Sequence, residues 1–520
     1  MDHSQVQSLY FSGWKLHGIT FWLLVALFVA QMDTSVTSTA ILEITDQLGD
    51  YEKSPWVFTA YMLTFCGFQL VWAKLSDILT RKTAMLGSLL IFTIFSGACA
   101  ASQTLTQLIM FRWAQGVGGC GIFALTQLMF FELVPPSKWP LYVGLFTVVV
   151  ALSLVVGPLI GGFISVHHQW RWIFLLNVPI CSIALLGISF TIPSKLPTEP
   201  AANNSTGFSK ASLRRVDVLG STLLLGACIL ISTGLQQAGL GYAWTSVFVL
   251  PLLLVVPIFI VAFFAWEWYV TRRKTPEPVF PWRFCQSRIC LGMVLNSFFS
   301  GAVLMICLVQ IPQRYMTVNG LSPLHAAVRL LAFGAFVPGG CMIAAALMGK
   351  PKVPPAVLIL IGAAFQLIGA IFLSRLPTHS QLYSPQYGFQ VLLGLGVGFV
   401  SAGLILLVPF AMEKRDLGVG TASMAQFRVL GGLIGIAIAA SLSIPQLHRH
   451  LASLLSPDLA LAVLQKTENM AFLTAVGREK AQAVFGESFS LQIKLVIGFA
   501  AAQIPATAFM WTGQVVNTGE

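Results

Sequence analysis

Charge is what this sequence has least of. Of 520 residues, 30 are Lys or Arg and 19 are Asp or Glu, 9% together, against about 25% in a soluble domain. A water-soluble fold of this length could not clothe its surface with so few, so a soluble enzyme, a disordered scaffold and a nucleic-acid-binding domain are excluded. Reactive motifs are missing too. There is no Cys-x-x-Cys pair, metal-spaced cluster, histidine box, Asp-rich prenyl-phosphate motif or Walker loop, which leaves an embedded oxygenase, a prenyltransferase and an ATP-driven pump without support. No catalytic residue, cofactor or metal is expected. All nine cysteines except Cys285 fall in apolar stretches and read as buried small hydrophobes rather than a disulfide framework. His167, His168, His448 and His450 fall in connections and are expected to be solvated.

What the chain does have is apolar length: 56% of it is hydrophobic. Spans of about 20 residues fit near 18–41, 55–74, 84–102, 105–131, 141–165, 172–193, 216–237, 247–270, 288–311, 324–348, 355–375, 385–410, 419–442 and 489–512. The fold expected is therefore an all-α integral membrane protein with fourteen spans. The first is a full-length span without a basic n-region or cleavage site, so it reads as a retained helix rather than a signal peptide. The apolar stretch 451–465, broken by Pro457, reads as an interfacial helix.

Basic residues orient the chain. With the N-terminus inside, eighteen of the Lys and Arg fall in cytoplasmic segments and four (Lys53, Arg171, Arg314 and Arg375) in short outer connections. That asymmetry fits an even number of spans with both termini cytoplasmic. The net charge of +11 is then topogenic rather than a nucleic-acid signal. This topology puts the sequon at Asn204 inside, where it is not glycosylated. Two polar segments, 194–215 and 271–288, bracket a pair of helices. The parse is an N-terminal six-helix bundle (1–193), cytoplasmic linkers with two extra helices (194–287), and a C-terminal six-helix bundle (288–520) with a long extracellular loop at 443–488. Arg112 precedes Gly116 and Gly118 as Gln390 precedes Gly394 and Gly396, a faint repeat between the halves.

Ionisable side chains inside a bilayer are costly and point to function. Asp33 is the one acid well inside a span; Glu132, Asp217 and Glu267 fall at cytoplasmic span ends, within reach of head groups and water. Counted from the outer ends of their spans, Asp33 lies roughly 12 Å and Arg112 roughly 11 Å deep, so the two could pair. Ala30, Asp33, Thr34 and Thr37 share one helical stripe, which reads as lining a cavity. A protonatable acid beside a fixed cation can act as a proton switch or meet the substrate; the other reading is an ion pair that fixes helix register. Arg428 either lines the cavity or bonds helix-end carbonyls, while Arg329 reads as snorkelling outward. Asp77, Arg81 and Lys82, between spans 2 and 3, suit a charge latch, an ordinary solvated turn being the alternative. Gly157 and Gly161 form a Gly-x-x-x-Gly face with Pro158 and Gly162 beside them and Gly144 earlier on the helix, for close helix approach. Phe65, Trp72, Phe123, Phe333 and Phe336 could wall a cavity or face lipid.

Together these residues resemble the major facilitator superfamily, and within it the fourteen-span drug:proton antiporters. Met32-Asp33-Thr34 looks like the first-span motif of that family. Leu75, Asp77, Arg81 and Lys82 match its loop signature, with departures at Ala73, Ile78 and Thr80. Arg112, Gln115, Gly116 and Gly118 are similar to the span-4 motif linked to proton transfer, and Gly157-Pro158-Leu-Ile-Gly161 to the span-5 antiporter motif, with Ser153 in place of a Gly. Trp170-Arg171-Trp172-Ile-Phe174, followed by Asn177-Val-Pro179, is similar to its strongest short signature. The resemblance is closest to fungal toxin and secondary-metabolite exporters. It implies proton-driven export of an amphipathic small molecule, with substrate bound between two rocking halves. A siderophore–proton uptake symporter is the nearest alternative, and a non-transporting receptor or scaffold is the alternative of another class. Membrane lipid and small-molecule substrate are the expected partners, nucleic acid is not, and a monomer in the plasma membrane is expected, with a vacuolar or vesicle membrane as the other location.

Overall fold

The computed structural model describes residues 11–48, 54–135, 138–166, 169–193, 217–239, 244–273, 278–321, 323–349, 353–378, 381–412, 416–454 and 473–511. Asn204, the 194–215 segment, His167, His168 and most of 451–465 lie outside them.

Helix is the dictated choice, because backbone groups in hydrocarbon must bond within their own segment. Eighteen α-helices and no strand occur among the described residues. The first eight are α1 (Gly13–Leu48), α2 (Ser54–Gly67), α3 (Gln69–Ile78), α4 (Arg81–Ala100), α5 (Leu105–Leu133), α6 (Trp139–Val166), α7 (Arg171–Leu175) and α8 (Asn177–Thr191), and they pack mainly among themselves. The pair α9 (Val218–Gly239) and α10 (Val249–Thr271) follows. The remainder are α11 (Arg283–Gln286), α12 (Arg288–Thr317), α13 (Pro323–Gly334), α14 (Phe336–Gly349), α15 (Pro355–Ser374), α16 (Gln386–Ala411), α17 (Leu417–Leu454) and α18 (Ala475–Phe509). The long helices α12 to α18 pack together, and α9 lies against α17 and α2.

By length and composition twelve helices can cross a membrane, and thirteen if α2 and α3, bent by 42°, count as one span. The bend falls at Gly67–Phe68, where a Cβ on Gly67 would stand 2.2 Å from Leu225 of α9, so the glycine admits a neighbouring helix at the kink. The other expected span, 141–165, falls within the 28-residue α6. Helix starts follow local chemistry: Thr80, Thr104 and Thr474 each accept a hydrogen bond from the third residue onward, as capping hydroxyls do. Thr80, one of the departures from the loop signature, thereby gains a role as the N-cap of α4.

Two expectations about ends need correction. The segment 443–488 reads as a loop, yet α17 continues to Leu454 and α18 begins at Ala475. At 38 residues α17 is about 57 Å long, nearly twice a ~30 Å hydrocarbon core. Hydropathy falls where a membrane would end, but the helix does not. For the same reason α1 runs on to Leu48, past the apolar end expected near residue 41. The helices also differ in position: 94% of the apolar window of α5 is buried against 17% of that of α10. α5 is a central post, while α10 turns Leu254, Ile258 and Val261 outward.

Candidate functional site

α1 and α5 bring Asp33 and Arg112 together, with both side chains fully buried. Arg112 Nη1 donates to Asp33 Oδ2 and to Gln115 Oε1, the latter at 2.8 Å. Asp33 Oδ1 accepts from Asn177 Nδ2 at 2.9 Å and from Gln115 Nε2 at 3.2 Å. Gln115 is oriented in turn by donating to Ser96 Oγ at 2.7 Å. Arg112 Nε reaches the Val57 carbonyl at 3.3 Å, and the guanidinium carbon lies 4.3 Å from the centre of the Tyr61 ring and 5.5 Å from that of Phe174. The carboxylate thus has three donors and the cation two aromatic faces, which lowers the cost of holding both charges out of water.

Asn177 and Tyr61 were not among the site residues read from sequence, although Asn177 lies in the strongest motif. Neither carries charge, and it is their partners across the bundle that give them a role. Glycines make the closeness feasible: a Cβ on Gly116 would meet Thr64 Oγ1 at 2.2 Å and the Tyr61 carbonyl at 2.4 Å, and one on Gly119 would meet the Tyr61 hydroxyl at 2.2 Å. Thr34 and Thr37 do not join the network. Their hydroxyls bond back to the carbonyls of Gln31 and Asp33, at 2.7 and 2.8 Å, a common fate of helical Thr. The stripe of α1 that reads as lining a cavity faces the packed interior of the first bundle.

At the far end of α5, Arg81 is gripped by two acids. Its Nη1 lies 2.6 Å from Asp77 Oδ1, and its Nε and Nη2 bond Glu132 at 2.8 to 3.1 Å. Arg81 and Glu132 are buried, so the span end that reads as wetted is closed. Lys82 turns away and donates to the Ser189 and Ile192 carbonyls at 2.7 and 2.6 Å, where the last carbonyls of α8 lack helical partners. Asp77 faces the other half: a Cβ on Gly418, at the start of α17, would stand 3.5 Å from its Oδ1. The halves also meet at this end through Phe131 and Val143 packed with Cys341, Ala344 and Met348.

In α6 a Cβ on Gly157 would meet Ser35 Oγ at 1.9 Å, so α6 presses directly on α1, and Ser35 donates to the Ser153 carbonyl at 3.1 Å. Gly161 is buried, and a Cβ on Gly144 would face Met342 at 3.8 Å. Pro158 and Gly162 lie in the helix with side chains outside the described set. Of the five aromatics, Phe65, Trp72 and Phe123 belong to the core of the first bundle and Phe333 to that of the last, while Phe336 is 40% exposed. Arg329 bonds the Tyr387 hydroxyl in the first turn of α16.

Arg428 lies elsewhere. Together with Gln127 of α5, Ser297 and Ser300 of α12, Ser401 of α16 and Met424 of α17 it lines a narrow pocket between the two groups of helices. Asp217 and Glu267, expected in reach of water, are buried. A Cβ on Gly220 would come within 2.3 Å of one carboxyl and 2.9 Å of the other. Asp217 accepts from Gly220 N and Trp266 Nε1, both at 2.8 Å, and burial pushes its carboxyl above the usual range. All nine cysteines are free and eight are buried. His448 and His450 are exposed, with His450 Nδ1 3.8 Å from Glu487.

The chain is similar to known proteins along most of its length. It is 34% identical to the MFS-type transporter FPY5 of Fusarium mangiferae over 505 residues, 97% of this chain and 85% of that protein. It is 28% identical to the efflux pump aflT of Aspergillus parasiticus, covering 88% of this chain and 87% of that one. Its fold matches the human organic anion transporter MFSD10 with a TM-score of 0.58 at 14% identity, over 93% of this chain and 99% of that one. The family description Major Facilitator Superfamily matches residues 23–436, a stretch that holds the Asp33–Arg112 pair, the Arg81 cluster and the Arg428 pocket, and the chain belongs to that superfamily of membrane transporters.

Proposed function

We propose that this protein is a proton-coupled antiporter that exports an amphipathic small molecule, of the toxin, secondary-metabolite or drug kind, by alternating access. The observation that carries this reading is the separation of two polar sites on one helix. The Asp33–Arg112 pair is sealed inside the first bundle, while the Arg428 pocket lies between the bundles, and α5 supplies Arg112 to one and Gln127 to the other. Fifteen residues of helix separate the two, about 22 Å. A proton reaching Asp33 removes the charge that holds Arg112 and loosens α1 from α5; the rod then carries that change to the pocket. Proton and cargo compete through the helix and not for one carboxylate. The Aspergillus relative, named an efflux pump, supports the outward direction. The proton gradient is the energy source and no cofactor takes part. The protein works as a monomer in the plasma membrane with both termini cytoplasmic, and a vacuolar or vesicle membrane would use the same cycle.

The test is transport by the full chain in proteoliposomes with an imposed pH gradient, read with Nile red, anilinonaphthalene sulfonate and rhodamine 6G. Gradient-dependent movement of at least one dye, lost in Asp33→Asn at equal protein content, is the expected result. Transport that persists unchanged when the gradient is collapsed would sink the proposal.

A further inference from the structure

We infer that the pocket between the halves selects cargo that is anionic when bound: an amphipath carrying one deprotonated carboxylate, acidic enol or phenol beside an apolar body. The inference rests on the export reading above and names the substrate class for its pocket.

Arg428 is the one ionisable side chain in that lining. Among the described residues it makes no ion pair. Arg314 is likewise buried with no acid paired to it among the described residues, but it sits outside the pocket and donates to the Pro377 carbonyl at 2.7 Å; two other interior arginines have counter-charges. Arg112 has Asp33, and Arg81 has Asp77 and Glu132. A guanidinium drawn from bulk water without a counter-charge is unfavourable unless something supplies one. Around it the pocket offers donors. Ser300 is buried and its hydroxyl has no hydrogen-bond partner. The Ser297 hydroxyl meets only the soft Met424 sulfur, at 3.5 Å, a weak acceptor. Gln127 adds an amide. A carboxylate accepts from a guanidinium fork and from hydroxyls at once, whereas an ammonium would meet a like charge with no acid in reach. Leu404, Ile405 and Ala425 supply the apolar wall.

Arg428 is also fixed from behind. A Cβ on Gly301 would stand 1.9 Å from the Arg428 carbonyl, and one on Gly431 the same distance from the Phe298 carbonyl. Two glycines thus let α12 and α17 pack backbone to backbone at this turn. A cation on a backbone held that firmly needs little ordering when cargo arrives.

The experiment uses three probes alike except in charge: 1-pyrenebutyrate, 1-pyrenebutyramide and 1-pyrenebutylammonium. Binding to the purified full chain in lipid nanodiscs is read by fluorescence anisotropy. The butyrate is expected to bind about tenfold or more tighter than the amide, and the ammonium weakest, as removal of one partner from a buried charged contact implies. Arg428→Gln brings the three to a common affinity, Arg428→Lys keeps the order with a smaller spread, and Ser300→Ala weakens the butyrate alone. Should Arg428→Gln fail to fold, the wild-type ranking and the Lys variant decide. Equal binding of the three, tightest binding of the ammonium, binding of none, or an unchanged order in Arg428→Gln would overturn the inference. Proton dependence is a separate readout. Gradient-driven transport without anion preference leaves the antiport proposal standing and removes this one; anion preference without gradient dependence does the reverse.

Discussion

Replacing Asp33 by Asn, alone and with Arg112→Gln, separates the two roles open to the buried pair. Both side chains are fully buried, so neither charge is rescued by water. In the single Asp33→Asn variant the guanidinium keeps Gln115 Oε1 and the Val57 carbonyl but loses its counter-charge. The new amide also sets an N–H₂ donor among donors, because the position accepts from Asn177 and Gln115. Breaking a buried pair from one side costs about 3–5 kcal/mol, a large share of the ~5–15 kcal/mol that holds a domain together. Arg112→Gln leaves Asp33 with two neutral donors and is expected to cost about as much. The double variant strands no charge, so its loss should fall short of the sum of the two singles by about 2–3 kcal/mol. Thermal unfolding of purified protein measures the stability cycle, and gradient-driven dye transport measures function on the same samples. Expected is a double variant that recovers stability and does not recover transport. Additive single costs would refute the pairing. Recovery of transport along with stability would reduce the pair to a device for helix register.

Other sites give sharper contrasts between neighbours. Arg81→Ala strands two acids, one of them buried, and should cost about 3–5 kcal/mol; Lys82→Ala loses only a half-buried contact to the end of α8 and should cost about 0.3–1 kcal/mol. Equal shifts in thermal unfolding would contradict that division. Gly116→Ala drives a methyl to within 2.4 Å of the Tyr61 carbonyl, so a loss of about 1–3 kcal/mol is expected, whereas Gly388→Ala, with nothing within 4 Å, should not destabilise. The burial-raised Asp217 carboxyl gives a pH signature. Between its ordinary and its raised pKa the folded state binds more proton than the unfolded, so its contribution to stability declines as pH rises through that window. Asp217→Asn keeps an acceptor for Gly220 and Trp266 and removes the charge, so it should raise the unfolding temperature near pH 8 and leave it unchanged near pH 4. A gain of equal size at both would refute the burial argument.

How much of this is legible in the sequence depends on what each residue needs from others. Asp33 and Arg112 are legible as a pair because a charge in oil has few solutions, and the structure brings them together. The latch is half legible. Asp77 and Arg81 are four apart on the chain, but Glu132 comes from 51 residues away, and nothing local distinguishes it from a wetted span end. Thr34 and Thr37 mislead because a helical stripe shows which residues share a face and not which way a hydroxyl turns. Ends mislead for a related reason, since hydropathy marks a membrane boundary and α17 and α18 pass through it.

The arrangement of α5 joins these pieces. Arg112, Gln127 and Glu132 place the ion pair, the pocket and the Arg81 cluster on one helix, whose apolar window is 94% buried. At 1.5 Å per residue the ion pair and the latch stand about 30 Å apart, the thickness of the hydrocarbon. Beyond its outer turns, where Met110 and Trp113 are exposed, the helix is enclosed by protein, and close-packed interiors shift between discrete arrangements rather than yielding gradually. The glycines on its Arg112 side, where a Cβ would strike backbone at Gly116 and Gly118, leave it no layer of soft side chains to absorb a displacement. Under the proposed antiport, loss of the Arg112 counter-charge is answered at Gln127 and at Glu132, and the proton site and the cargo pocket are coupled through this one helix.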